Sequence, residues 1–290
     1  MRDSLSGGTL ERGAARAMRW LSVGALVVTA ISYLLTTFTP LGQAIADEAW
    51  LARVVEGKGL LKVSRHLLEF IDIGTIIGVI AILLVGTAVR GSWRVGAALA
   101  GGLLGAAASA ELLKAALPRP DLAPQLEAMM GEHAANSFPS GHVTIATASV
   151  LAMIVVLPSA GRLPWAMLGA VLVASVACAV VAAGWHRPSD ALGGLGWALA
   201  WQGLIIAGIV RRLGVAVPGS ARTAWFWPTV AGLVLAAAVV ILAVLGRVDI
   251  AGLTGSVRAW TFPIAEILLA CTALLAINCS AWILRRVELR

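Results

Sequence analysis

The stretch PWAMLGAVLVASVACAVVAAGWHRPSDALGGLGWALAWQGLIIAGIV, Pro164 to Val210, consists of two apolar runs joined by one short polar break. Each run has roughly the 20 residues a helix needs to cross a hydrocarbon core. The runs lack the short polar/apolar alternation of an outer-membrane barrel. In lipid the backbone must satisfy its own hydrogen bonds, so helix is the state these runs predict. The break between them places His186, Arg187 and Asp190 within five positions. These are either polar caps at a membrane boundary or reacting groups.

Working outward, further apolar runs predict spans at 20–39, 71–89, 95–116, 142–157, 164–184, 190–210, 225–246 and 262–284. The fold class is therefore an all-α integral membrane protein, a multi-pass bundle of about eight transmembrane helices. Composition agrees: of 290 residues 59% are hydrophobic and only 13% charged, with a mean hydropathy of +0.90. The first span follows Arg16 and Arg19 and precedes QAIA, a small-residue pattern like a signal cleavage site. Its length predicts a retained helix.

The charges predict an orientation. Arg2, Arg12, Arg16 and Arg19 precede the first span, and Arg285, Arg286 and Arg290 follow the last. With eight spans these ends share a side with the connectors carrying Arg90, Arg94, Arg162, Arg211, Arg212 and Arg222. The positive-inside rule makes that side cytoplasmic, with the termini in the cytoplasm and the His186 break outside, in an inner cell membrane. The net charge of +7 is then a topology signal, which argues against a nucleic-acid partner. Lys occurs only at 58, 62 and 114, and the preference for Arg together with the Ala, Gly and Val bias points to a GC-rich bacterial genome. Cys178, Cys271 and Cys279 lie in apolar spans as small buried hydrophobes, without metal-site spacing.

Two outer loops are long. The first, about 40–70, mixes charge with apolar spacing and predicts an interfacial helix. The second, 117–141, ends in NSFPSG. In the third span Gly101 and Gly105, four apart, predict close helix packing.

Three clusters carry chemistry on the outer face. Lys114 ends the third span and Arg119 follows between Pro118 and Pro120, two cations suited to a phosphate. Asp121 is adjacent and offsets part of that charge. In NSFPSGH, Ser140 caps the fourth span, so the free N–H groups of Gly141 and His142 open an anion site. His142 can exchange a proton there. In the break, Asp190 lies where its carboxylate can orient His186 and leave one ring nitrogen free to attack. Together they suit phosphoryl transfer through a phosphohistidine. No acidic cluster stands ready to hold Mg²⁺, so the chemistry is expected to need no metal or cofactor.

In this order the clusters resemble the type-2 phosphatidic acid phosphatase superfamily, which includes the vanadium-dependent haloperoxidases. Its pattern runs Lys and Arg-Pro, then Pro-Ser-Gly-His, then Ser-Arg, five residues, His, three residues and Asp. The resemblance spans 114–190, with PSGH at 139–142 identical and the His186–Asp190 spacing kept. It implies that His186 is the nucleophile, Asp190 its orienter and His142 the acid for the leaving group. Lys114, Arg119, Ser140 and Gly141 would hold the phosphate. It also implies a six-helix core within 1–212 and an added transmembrane hairpin over 213–290. The sequence departs from the pattern twice. Lys114 and Arg119 stand two residues closer than usual, with Asp121 at the usual Arg position, and the Ser-Arg pair falls on Ala179 and Val180. Arg187 is the nearby cation expected to replace that missing charge.

The expected function is hydrolysis of a lipid phosphate or diphosphate, polyprenyl or glycerolipid, at the outer leaflet, with the bilayer and the lipid as partners. A headgroup or phosphoryl transferase on the same site is one alternative. A transporter or flippase using Asp72, Glu111 and Glu266 is another, although Glu111 sits one turn from Lys114 and is expected to pair with it. A scaffold that lost catalysis with the Arg is a third.

Overall fold

The computed structural model describes residues 2–53, 58–124, 130–131, 135–217, 227, 230–231 and 257–289. Nine helices occur among them: α1 (Arg2–Phe38), α2 (Pro40–Ala52), α3 (Lys58–Glu69), α4 (Ile73–Ala88), α5 (Trp93–Ala116), α6 (Gly141–Val156), α7 (Ser159–Ala182), α8 (Pro188–Leu213) and α9 (Val257–Leu284). Two three-residue strands, β1 (Gly214–Ala216) and β2 (Val287–Leu289), pair antiparallel. The protein is all-α in its membrane-length elements. Five helices are long and apolar enough to cross a membrane: those at Thr9–Phe38, Trp93–Ala116, Ser159–Ala182, Pro188–Leu213 and Thr261–Leu284. A sixth arises if α3 and α4, bent by 51° at their junction, count as one span. α6 is apolar but shorter. Apart from positions 227, 230 and 231 the expected span at 225–246 lies outside the described residues, so the count of eight is not reached among them.

α8 is the axis. It is the most enclosed of the candidate spans, with 72% of its apolar window buried. It packs along α1, α5 and α6. Small residues let the backbones approach, as in membrane bundles where apolar surface alone gives no drive. Gly196 meets Thr29 and Gly203 meets Ser22, seven residues apart on each helix, which fixes α1 and α8 antiparallel. On α5 the close approaches are at Gly102, against Gln202, and at Gly105, against Trp201. Gly101, expected to share that role, faces open space. Around the helix Gly105 lies between Gly101 and Gly102, and α8 approaches from the Gly102 side. Gln202 Nε2 donates to Leu99 O at 3.1 Å and Trp197 Nε1 to Ser109 Oγ at 2.9 Å, satisfying polar groups within the helix pair.

The ends of the bundle differ in charge. At one end β1 pairs with β2, and Glu11 near the chain start accepts from Ala216 N at 2.7 Å, so both described chain ends meet there. Arg90 donates to Val156 O and Arg162 to Leu284 O at this same end. The loops 117–140 and 183–187 lie at the other end. The segment expected as an interfacial helix is instead two helices. α2 packs against α1 and α9, while α3 packs on α7. α2 is drawn inward because Gln43 and Asp47 find buried partners, described below, that a membrane surface would not provide.

A side chain at Gly203 would overlap Ser22, and overpacking of this kind costs about 1–3 kcal/mol. Gly203→Val should therefore lower the melting temperature of the detergent-solubilised protein, whereas Gly101→Ala should leave it unchanged. Equal melting temperatures for both variants would show that α1 and α8 do not pack as described.

Candidate active site

The turn between α7 and α8 is built from its backbone outward. Gly184 adopts φ +78°, and Gly184 N donates to Val181 O at 2.9 Å. Trp185 N and His186 N both donate to Val180 O, at 3.0 and 3.1 Å, which closes the end of α7. Only glycine fits at 184, for the left-handed backbone and because a methyl would come within 2.5 Å of Arg53 Nε. From α2, Trp50 Nε1 donates to Gly184 O at 3.0 Å, and the Arg53 guanidinium stacks 3.3 Å over the Trp50 ring. Burial lowers the pKa of Arg53. Pro188 then starts α8, where its missing N–H is no loss.

His186 points Nδ1 at Asp190 Oδ2, 3.7 Å away, with both side chains almost wholly buried. The same carboxylate oxygen accepts from Arg187 N at 2.9 Å and from Ser137 Oγ at 2.5 Å. The Asp190 carbonyl accepts from Ser140 N at 2.9 Å. One residue therefore faces the histidine across 3.7 Å with its side chain and holds the start of α6 through its backbone.

Ser140 is the N-cap of α6, and its hydroxyl is fully buried with no hydrogen-bond partner. A buried hydroxyl without a partner is costly unless a ligand completes it. Beside it, a methyl on Gly141 would stand 2.7 Å from Glu111 Oε1 and 3.7 Å from Lys114 Nζ. Lys114 donates to Glu111 at 2.6 Å, the pairing expected from their spacing. His142 lies against Trp185, ring centres 5.2 Å apart, within electrostatic reach of His186 and Lys114. His186, Asp190, His142, Lys114, Ser140 and Gly141 are thus brought together, around a helix N-terminus that favours an anion.

The two arginines are placed differently. Arg119 Nη2 donates to both oxygens of Asp47, at 2.9 and 3.1 Å, and Arg187 Nε donates to Asp47 Oδ1 at 2.5 Å. Asp47 is fully buried and Arg187 is 1% exposed. The other nitrogens of Arg187 reach Ala135 O, Ser137 Oγ and Met130 Sδ. Arg187 was expected to offer its charge directly to a phosphate; its guanidinium is instead taken up inside the protein. The physical reason is Asp47, whose carboxylate binds both guanidiniums in a water-poor interior. Val180, at the family's Arg position, is fully buried in the core.

Asp47 is the residue the sequence reading missed. Its signal was the pair Gln43 and Asp47, one turn apart and separated by Ala44, Ile45 and Ala46. Gln43 clamps the 118–122 loop, donating to Pro120 O at 2.8 Å and accepting from Leu122 N at 2.7 Å. Tyr33 OH donates to Pro118 O, so α1 and α2 together hold Arg119 in place. The other acids considered lie on separate elements. Asp72 caps α4 through Thr75 N, Glu111 pairs with Lys114, and Glu266 sits on α9, where its carbonyl meets Cys178. Among the described residues no group of three or more His, Cys, Asp or Glu could hold a metal ion.

Removing one partner from a buried ion cluster costs about 3–5 kcal/mol, because the remaining charges lose their compensation. Asp47→Ala should thus lower the melting temperature markedly, while Asp121→Ala, at an exposed position, should change stability by less than about 0.5 kcal/mol. A neutral Asp47→Ala variant would contradict the burial of the cluster.

Residues 91–213 match the model of the PAP2 superfamily. No curated protein and no solved structure matches the chain.

Proposed function

We propose, from the match of residues 91–213 to the PAP2 superfamily, that the chain is a phosphatase of that superfamily and hydrolyses a membrane lipid phosphate through a phosphohistidine. The phosphoryl group sits at the N-terminus of α6. Its non-bridging oxygens take hydrogen bonds from the backbone at Gly141 and His142, the Ser140 hydroxyl and Lys114. His186 Nε2 attacks phosphorus as the bond to the lipid oxygen breaks, and His142 donates a proton to that oxygen. Asp190 balances the charge that grows on the His186 ring. Water, deprotonated by His142, then attacks phosphorus, releasing phosphate and restoring His186. Arg119 and Arg187 act at one remove, as positive charge held behind the site by Asp47.

The observation that carries this reading is the double attachment at Asp190. Its carboxylate faces His186 while its carbonyl holds Ser140, so nucleophile and anion cradle share one support. The unpartnered Ser140 hydroxyl supports an anionic ligand. A lipid substrate is supported by an apolar groove of about 440 Å³ between α1, α2, α8 and α9, which reaches Pro188 and Ser189 beside the nucleophile turn. Such a groove gives a polyprenyl or acyl chain a place next to its headgroup. The site end is assigned to the extracytoplasmic face of the inner membrane, because the arginine-bearing chain ends meet at the opposite end.

Purified protein supplied with polyprenyl and glycerolipid phosphates should release inorganic phosphate at the same rate with and without EDTA. His186→Ala should abolish release, and His142→Ala should slow it by about 10²–10⁴-fold, the range for loss of a general acid. Release that persists in His186→Ala, or that stops with EDTA, would overturn the reading.

A further inference from the structure

The end of the bundle opposite the histidines carries a second polar feature. A groove of about 490 Å³ opens between the N-terminal part of α1 and the end of α8. Arg12, Arg16 and Arg19 line it from α1 and Arg211 from α8, with Trp20 and Val23 as its apolar floor. The three α1 arginines are spaced four and three residues apart, so they occupy one helix face. Arg211, in the last turn of α8, offers a fourth guanidinium across the gap. No carboxylate among the described residues lies within ion-pairing distance of Arg16, Arg19 or Arg211. The nearby acid on α1, Glu11, accepts from Ala216 N on β1.

Like charges facing one another across a concave surface repel unless an anion joins them. Topology accounts for arginines at this end of the bundle, because any positions beyond the helix ends satisfy the positive-inside rule. It does not account for their convergence from two helices on one groove. The partner's chemistry follows from what adjoins the groove. Trp20 is 68% exposed and Val27 and Val28, further along α1, are each about half exposed, so an apolar flank continues from the charged groove toward the middle of the bundle. Trp at such a junction marks the headgroup level. A soluble anion would use the guanidiniums alone; a phospholipid uses the guanidiniums and the flank together.

We propose that this groove binds the headgroup of an anionic phospholipid of the adjoining leaflet, its acyl chains lying along α1 past Trp20 and Val23. The bidentate fork of arginine suits the phosphodiester, and several basic residues at a helix end are the usual recognition chemistry for acidic headgroups. The site is separate from the histidine cluster, so it stands whether or not the chain is a phosphatase.

The test uses the full chain in detergent, titrated with phosphatidylglycerol and with phosphatidylcholine of the same acyl chains, bound lipid being counted by native mass spectrometry. The wild-type protein should retain phosphatidylglycerol about tenfold more strongly than phosphatidylcholine. R16Q/R19Q/R211Q should bring the two lipids level, and R16K/R19K/R211K should keep most of the preference. Inorganic phosphate at the lipid's concentration should not displace it. Melting curves of both triple variants establish that they are folded. Equal retention of the two lipids by the wild-type protein, an undiminished preference in R16Q/R19Q/R211Q, or displacement by inorganic phosphate would each overturn the proposal.

Discussion

A single carboxylate holds the histidine-bearing end of this bundle together. Asp47, fully buried on α2, binds Arg119 on the 118–122 loop and Arg187 at the start of α8. Those two segments are the flanks of the histidine cluster. Without Asp47, two guanidiniums would face each other in an interior with little water, and the turn carrying His186 would lose one of its ties to α2. Such an ion cluster gains little net stability over an apolar one, since desolvation offsets most of the attraction. Its value here is positional: it fixes where the turn sits, and Trp50 and Arg53 on the same helix press against Gly184 from a second direction.

This arrangement changes how positive charge reaches the site. A phosphate held at α6 would meet Lys114, two histidines and the helix N-terminus directly, while both arginines stand behind Asp47. Lys114 itself is shared with Glu111. The cradle therefore leans on backbone N–H groups and the helix end more than on side-chain cations. Oriented backbone dipoles need no reorganisation as charge develops, which suits a reaction whose transition state spreads charge over phosphate oxygens. The valine at position 180, where an arginine would complete the family's pattern, fits the same account. It packs in the core of α7, and its carbonyl serves the turn instead.

The fold was legible where the physics is one-dimensional. Apolar runs of membrane length predicted α4, α5, α6, α7, α8 and α9 close to their observed bounds, since hydropathy and backbone satisfaction decide them locally, whereas α1, expected from position 20, already begins at Arg2. PSGH and the His186–Asp190 spacing were legible for a similar reason: a helix start and a single turn fix their geometry within a few residues. What could not be read was pairing across the chain. Asp47 and Arg187 are 140 positions apart, and only the packing of α2 into the bundle brings them together. The same limit explains Gly101. Spacing alone named it with Gly105, whereas the actual contacts of α8 select Gly102. It also explains Arg187, whose place near the histidines in sequence said nothing of which way its guanidinium turns.

The most direct measurement is on His186 itself. Protein mixed with a lipid phosphate carrying a labelled phosphoryl group and quenched within a turnover should hold the label on His186. The linkage should survive alkali and be lost in acid, as a phosphoramidate is, and His186→Ala should carry none. A label found on another residue, or phosphate release with no label on the protein at any quench time, would contradict the phosphohistidine route.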